Sequence, residues 1–312
     1  MKRPVKKEVF SFISTDAVKI KCYRWYVPKN RNTASVIIIH GMADHFNRYD
    51  SFATSLCLKG LKVYGIDLRG HGHTVKGPMH YGHLSDSLGW EKTVNDIKRL
   101  LTIVKNNNKQ KPVFLFAHSL GELLVRDFMI DNSHDINGAI LSGVAANPGI
   151  IKYLGKLVAD LLVFFKGKRY KSVFLTNMLF GKYNDSFKPT RTNCDWISSI
   201  GSEVDKYIED PFCNIIFTAG FFQDLNNGFN RINDIKNIKK IRKDLPVMLL
   251  AGKEDAVGNR SLAVIELYET YKKIGMTDTS YKLYDGVRHE IVNDISRDIV
   301  INDITGWIKR HS

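Results

Sequence analysis

Phe114-Leu115-Phe116-Ala117-His118-Ser119-Leu120-Gly121 is the stretch that decides how this chain is read. An apolar run suited to a buried strand ends on a serine, and a helix-compatible stretch follows to Ile130. The turn between them is tight, so the residues two before and two after the serine must be small, and Ala117 and Gly121 are. This is a strand–nucleophile–helix elbow, with Ala-x-Ser-x-Gly in place of the more usual Gly-x-Ser-x-Gly. At a helix N-terminus the serine meets the positive end of the peptide dipoles, which supports developing negative charge. An N-capping serine stands in the same place, so the motif alone leaves a purely structural role open.

Outward from the elbow, strands and helices alternate. Ser35-Val36-Ile37-Ile38-Ile39-His40 is a β-branched run suited to a strand covered on both faces. A helix from about Arg48 to Lys59, closed by Gly60, precedes a strand from Lys62 to Asp67. Trp90 to Lys105 carries Val94, Ile97, Leu101 and Val104 at helical spacing. Further strands are expected at 138–142, 246–251 and 280–284, with helices near 261–274 and 298–310. Val9–Ile13 and Val18–Val27 suit an antiparallel hairpin at the edge. The pattern predicts an α/β fold: a mostly parallel eight-stranded sheet with helices on both faces. Residues 147–216 interrupt the alternation and read as an inserted helical cap on a core of 1–146 and 217–312.

In such sheets the chemistry lies beyond the carboxyl ends of the strands. Three loops there complete the constellation. His40-Gly41-Met42 follows the Ile-rich strand, and the N–H groups of Met42 and Leu120 are candidate donors to an oxyanion. Asp255, with Glu254 as a weaker alternative, ends the polar loop after Val247–Ala251. His289 lies shortly after the last strand, placed to take the Ser119 proton while Asp255 orients it. Each residue alone is compatible with an ordinary loop. A serine, an aspartate and a histidine in that order, each after its own strand, point together to catalysis.

These residues resemble the monoacylglycerol lipase and lysophospholipase branch of the α/β-hydrolases, and the resemblance spans nearly the whole chain. It rests on His40-Gly41-Met42 with Asp44-His45 and Arg48-Tyr49, on Asp67-Leu68-Arg69-Gly70-His71-Gly72-His73, and on Gly286-Val287-Arg288-His289-Glu290 with Asn293. Tyr207-Ile208-Glu209-Asp210-Pro211-Phe212 is similar to a cap segment of bacterial members. The resemblance implies cofactor-free cleavage of single-chain acyl esters of glycerol or glycerophosphate through Ser119, His289 and Asp255. An esterase or thioesterase for a small soluble acyl compound, and a non-catalytic ligand-binding homologue, stay open. Glu122 departs from the pattern: members usually carry a small residue three after the serine. A carboxylate there opposes the oxyanion if it points inward.

Composition narrows the partners. The net charge of +14 invites nucleic acid or an anionic membrane, yet Lys, Asn and Ile abound along the whole chain and no nucleic-acid module is present. No nucleic-acid partner is expected. Cys22, Cys57, Cys194 and Cys213 form no CxxC pair and fit a reducing cytosol. His71, His73, His80 and His83 lack an acidic ligand cluster at metal-site spacing, so no metal is expected. Met1 to Glu8 is charged and has no secretory character. Ile150, Ile151, Leu154, Leu157, Val158, Leu161, Leu162 and Phe165 make an amphipathic helix with a basic end. It is too short and too charged to span a bilayer, and suits either packing on the core or resting on an anionic membrane surface.

Overall fold

The computed structural model describes residues 4–29, 32–108, 110–147, 149 and 151–312, with Ile151 described by its backbone alone. The expectations placed on Met1–Arg3 and Ile150 lie outside those residues.

The eight expected strands are present: β1 (Lys6–Ile13), β2 (Lys19–Tyr26), β3 (Ser35–Ile39), β4 (Lys62–Ile66), β5 (Val113–His118), β6 (Gly138–Ser142), β7 (Val247–Gly252) and β8 (Thr279–Tyr284). They form one sheet in the order β1-β2-β4-β3-β5-β6-β7-β8. β1 pairs antiparallel with β2, β2 pairs antiparallel with β4, and the other pairings are parallel. Ile39 stands opposite Ala117, and Ala117 opposite Leu141. The ends of β3, β5 and β6 are therefore level, and His40, Ser119 and Gly143 emerge together at one edge.

The Ile-rich run is wholly buried because side chains alternate between two covered faces. Ile37, Ile39, Leu115, Leu141 and Leu249 pack with α2 (Gly89–Asn107), α3 (Leu120–Asn132) and α9 (Leu262–Lys273). Val36, Ile38, Phe114, Phe116 and Leu250 pack with α1 (Asp50–Leu58) and α10 (Arg297–Arg310). Each such isoleucine or phenylalanine contributes roughly 1.5–3 kcal/mol by leaving water.

Between β6 and β7 run α4 (Ile151–Lys166), α5 (Val173–Phe180), α6 (Gly201–Glu209), α7 (Ala219–Asn233) and the single turn α8 (Ile235–Ile238). The sequence reading did not anticipate α7. Its N-cap is Thr218, whose hydroxyl accepts the Phe221 N–H at 3.2 Å. Phe221, Phe229 and Ile232 sink into the core. Gly228 lies against the Trp90 ring, where a β-carbon would collide.

The stripe expected on α4 splits in two. Ala159 is buried, and Val158 and Leu162 pack on the core. Leu154, Leu157, Leu161 and Phe165 instead face outward with Tyr153 and Phe164, the last of them 81% exposed. The apolar residues cover one wide arc of the helix, part of it on the core and part of it exposed, so core packing accounts for only part of its hydrophobicity. No helix among the described residues is long and apolar enough to cross a membrane.

Candidate active site

Ser119 sits at φ 53°, ψ −117°, a backbone region that costs an ordinary residue free energy and persists only where the surroundings enforce it. Its N–H donates to Ser142 O at 2.9 Å, and its carbonyl accepts the Leu123 N–H at 3.2 Å, so β6 on one side and α3 on the other hold the turn. A β-carbon on Gly121 would run into the carbonyl oxygens of Ile39 and His40, which explains the glycine two after the serine. The half-buried Ser119 lines a cavity of about 310 Å3.

His289 and Asp255 meet at the neighbouring strand ends. The imidazole Nδ1 lies 3.0 Å from both Asp255 carboxylate oxygens, and both residues are buried. Glu254 makes no such contact, so the geometry separates the two adjacent acids. Asp255 is fixed in turn by the Val257 N–H, which donates to Oδ1 at 2.9 Å. Gly252 lets the histidine loop pass close, because a β-carbon there would meet the carbonyls of Val287 and Arg288. Burial disfavours the imidazolium, but the charge and hydrogen bond of Asp255 outweigh it, and the pKa of His289 is held above its ordinary 6.5. Trp196 covers the ring at a centroid separation of 5.3 Å. Among the described residues no hydrogen bond joins Ser119 Oγ to His289; hydrogen bonds between a nucleophile and its base are often long without substrate and tighten when it binds.

Met42 and Leu120 line the same cavity. Their backbone N–H groups donate to no protein group among the described residues. The loop bearing Met42 crosses directly over the serine: a β-carbon on Gly41 would lie 3.2 Å from Ser119 Cβ. Asp44 folds this loop, accepting from the His45 N–H at 2.7 Å and from the Tyr49 hydroxyl at 2.8 Å. Arg48 then ties it to the histidine loop through a two-pronged pair with Glu290 at 2.5 and 2.7 Å. These supports were visible only as members of the family-like motifs. Gly143 and Trp196, which touch the His289 ring, had no sequence signal at all.

Four other histidines near the strand ends have structural surroundings. In His40, Nε2 accepts the Leu68 N–H at 2.9 Å and Nδ1 lies 2.7 Å from Gly41 O, and burial depresses its pKa. Burial takes His71 down to about 3. His73 pairs with Asp67, and His83 with Thr218 and Asp86. Among the described residues His71, His73, His80 and His83 do not converge on a common ligand position.

Glu122 does not line the cavity. It is fully buried with Oε1 3.5 Å from Arg126, a loose pair one turn along α3, and burial raises its carboxyl to about 7. Glu122 therefore pairs along α3 and does not enter the cavity at Ser119.

Residues 30–296 match the family described as serine aminopeptidase, S33. The chain belongs to this α/β-hydrolase family. It is a hydrolase, and the resemblance read from the elbow and the strand-end loops holds for the family. Within it, the chain is 24% identical to the monoacylglycerol lipase of Mycolicibacterium smegmatis over 96% of each chain. It is 25% identical to the monoglyceride lipase of Rattus norvegicus over 95% of this chain and 88% of that one. A carboxyl esterase from Bacillus coagulans, solved in complex with glycerol, superposes with a TM-score of 0.90 at 24% identity, covering 97% of this chain and 98% of that one.

Proposed function

We propose that this S33 family member is a serine carboxylic-ester hydrolase that cleaves single-chain acyl lipids, with residues 147–216 as a cap over the site. The observation that carries the proposal is the apolar cavity that opens at Ser119. Leu120, Leu123, Leu175, Met178, Leu225 and Phe229 are among its walls, a lining suited to an acyl chain.

In this reading Ser119 Oγ attacks the ester carbonyl while His289 Nε2 takes its proton. The carbonyl oxygen becomes an oxyanion and is met by the N–H groups of Met42 and Leu120. Asp255 keeps the proton on Nδ1 and stabilises the imidazolium. Collapse returns the proton from His289 to the leaving alkoxide, releasing the alcohol and leaving an acyl group on Ser119. Water, deprotonated by the same imidazole, then releases the fatty acid and restores the serine.

The family description speaks of an aminopeptidase, but the lining argues for an ester. A peptide's free amino terminus calls for a carboxylate, and among the described lining residues the charged ones are Lys152 and Lys182. Those two lysines favour a second substrate within the same reading, a lysophospholipid whose phosphate they would attract. The relatives named for monoacylglycerol cleavage support the glycerol ester first.

Peripheral contact with an anionic membrane is part of the proposal. The outward face of α4, continued by Val173 and Phe174, is an exposed apolar surface beside Lys152, Lys166 and Lys168. A chain-length series tests the substrate class. Long-chain monoacylglycerols cleaved with higher kcat/KM than a short p-nitrophenyl ester support the lipid reading. Cleavage of the short ester alone transfers the assignment to a small soluble acyl compound.

A further inference from the structure

We propose that His45, Asp210 and Cys213 form a site for a divalent cation of the zinc class, fastening the segment before α7 to the loop after β3. A ring nitrogen of His45, a carboxylate oxygen of Asp210 and Sγ of Cys213 all lie within 4.8 Å of one another. Nitrogen, oxygen and thiolate donors around a tetrahedral position are the set that zinc takes. The residues are 165 positions apart at their widest hydrogen-bonded pair, so no spacing motif announces them.

The site is built. Asp210 and Cys213 are held on one turn: the Cys213 N–H donates to Asp210 O at 3.0 Å, and the Phe212 N–H donates to Asp210 Oδ1 at 2.9 Å. Asp210 Oδ2 lies 2.8 Å from His45 Nε2. His45 Nδ1 is buried and has no hydrogen-bond partner among the described residues. The rings of Phe212 and His73 flank the imidazole, at 5.1 and 6.1 Å. His45 and Cys213 are buried while Asp210 is partly exposed, which leaves a route in from solvent.

The surrounding charge favours a cation. Asp44, Asp210 and Glu290 face this region with Arg48 as the near cation, and Arg48 is engaged by both Glu290 and Asp44. On the far side His73 pairs with Asp67. On binding, the metal–sulfur bond replaces the S–H bond and that proton passes to solvent, while the His45 proton now shared with Asp210 moves from Nε2 to the unpartnered Nδ1 and frees Nε2 to ligate; no oxidation state changes, and a solvent molecule takes the fourth position.

Cobalt(II) titration of the full chain, first stripped with a chelator, tests this directly. One equivalent is expected to bind with a cobalt–thiolate charge-transfer band. Cys213→Ser is expected to abolish the band, and Asp210→Asn to weaken binding at least tenfold, with ester hydrolysis retained in Cys213→Ser. Zinc is expected to raise the Tm of the wild type and not that of Cys213→Ser. A wild type without the thiolate band, or a band that survives Cys213→Ser, overturns the proposal, and neither result bears on the hydrolase reading.

Discussion

Gly143, at φ +63°, lies so close to the His289 ring that a β-carbon on it would sit 2.8 Å from Cε1. It would also lie 2.9 Å from His118 Cε1, so the two imidazoles leave it no room. Gly143→Ala is therefore expected to displace His289 while leaving the sheet intact. A misplacement near 1 Å costs on the order of 10²-fold in rate. Steady-state kinetics beside a circular dichroism spectrum checks this; an unchanged kcat/KM in a folded variant contradicts the role given to His289.

The acid limb of the pH profile follows from the same imidazole. Under the proposed mechanism His289 is the general base and must be neutral, and Asp255 holds its pKa above 6.5. Activity is expected to fall as pH drops through a value above 6.5. Asp255→Asn removes the carboxylate, so the limb moves down while kcat falls by about 10³–10⁴-fold. A limb that stays in place in Asp255→Asn assigns the titration to another group.

Glu122 gives a stability signature separate from activity. Burial lifts its folded pKa from 4.5 to about 7, so the folded state binds the proton more tightly than the unfolded chain. The associated stability is fully present below pH 4.5 and lost as pH rises through about 7, on the order of 3 kcal/mol at most. Glu122→Gln cannot ionise, and its Tm is expected to change less than that of the wild type between pH 5 and 8. Parallel Tm-versus-pH curves would show that Glu122 is ionised in the folded protein throughout.

The elements that locate the site were legible in the sequence for a physical reason. β3, β5 and β7 are covered on both faces, so they read as unbroken apolar runs, and each of them ends at a loop of the candidate site. α7 was not legible. Its Gly228, Asn226, Asn227 and Asn230 are poor helix formers, and Gly228 is there for tertiary fit against Trp90. α4 was legible as an amphipathic helix but not in its facing, because its apolar arc is wide enough both to pack on the core and to face outward. Among the site residues, Ser119, Asp255 and His289 stood out by residue type and order. Gly143, Trp196 and the Arg48–Glu290 tie depend on chain crossings that no local pattern encodes.

The exposed face of α4 separates interfacial from chemical roles. Replacing Leu157, Leu161, Phe164 and Phe165 together by serine is expected to reduce hydrolysis of long-chain ester in anionic vesicles at least tenfold. Hydrolysis of a soluble short ester is expected to change less than twofold, since these side chains point away from the core. Equal losses on both substrates would instead mark the face as part of the folded cap.

The central claim is that Ser119 forms an acyl-enzyme from a lipid ester. The most direct measurement compares wild type and Ser119→Ala on a long-chain monoacylglycerol, with fluorophosphonate labelling followed by peptide mapping. The account predicts hydrolysis and a label on Ser119 in the wild type, and neither in Ser119→Ala. Hydrolysis that persists in Ser119→Ala, or a label on another residue, would contradict it.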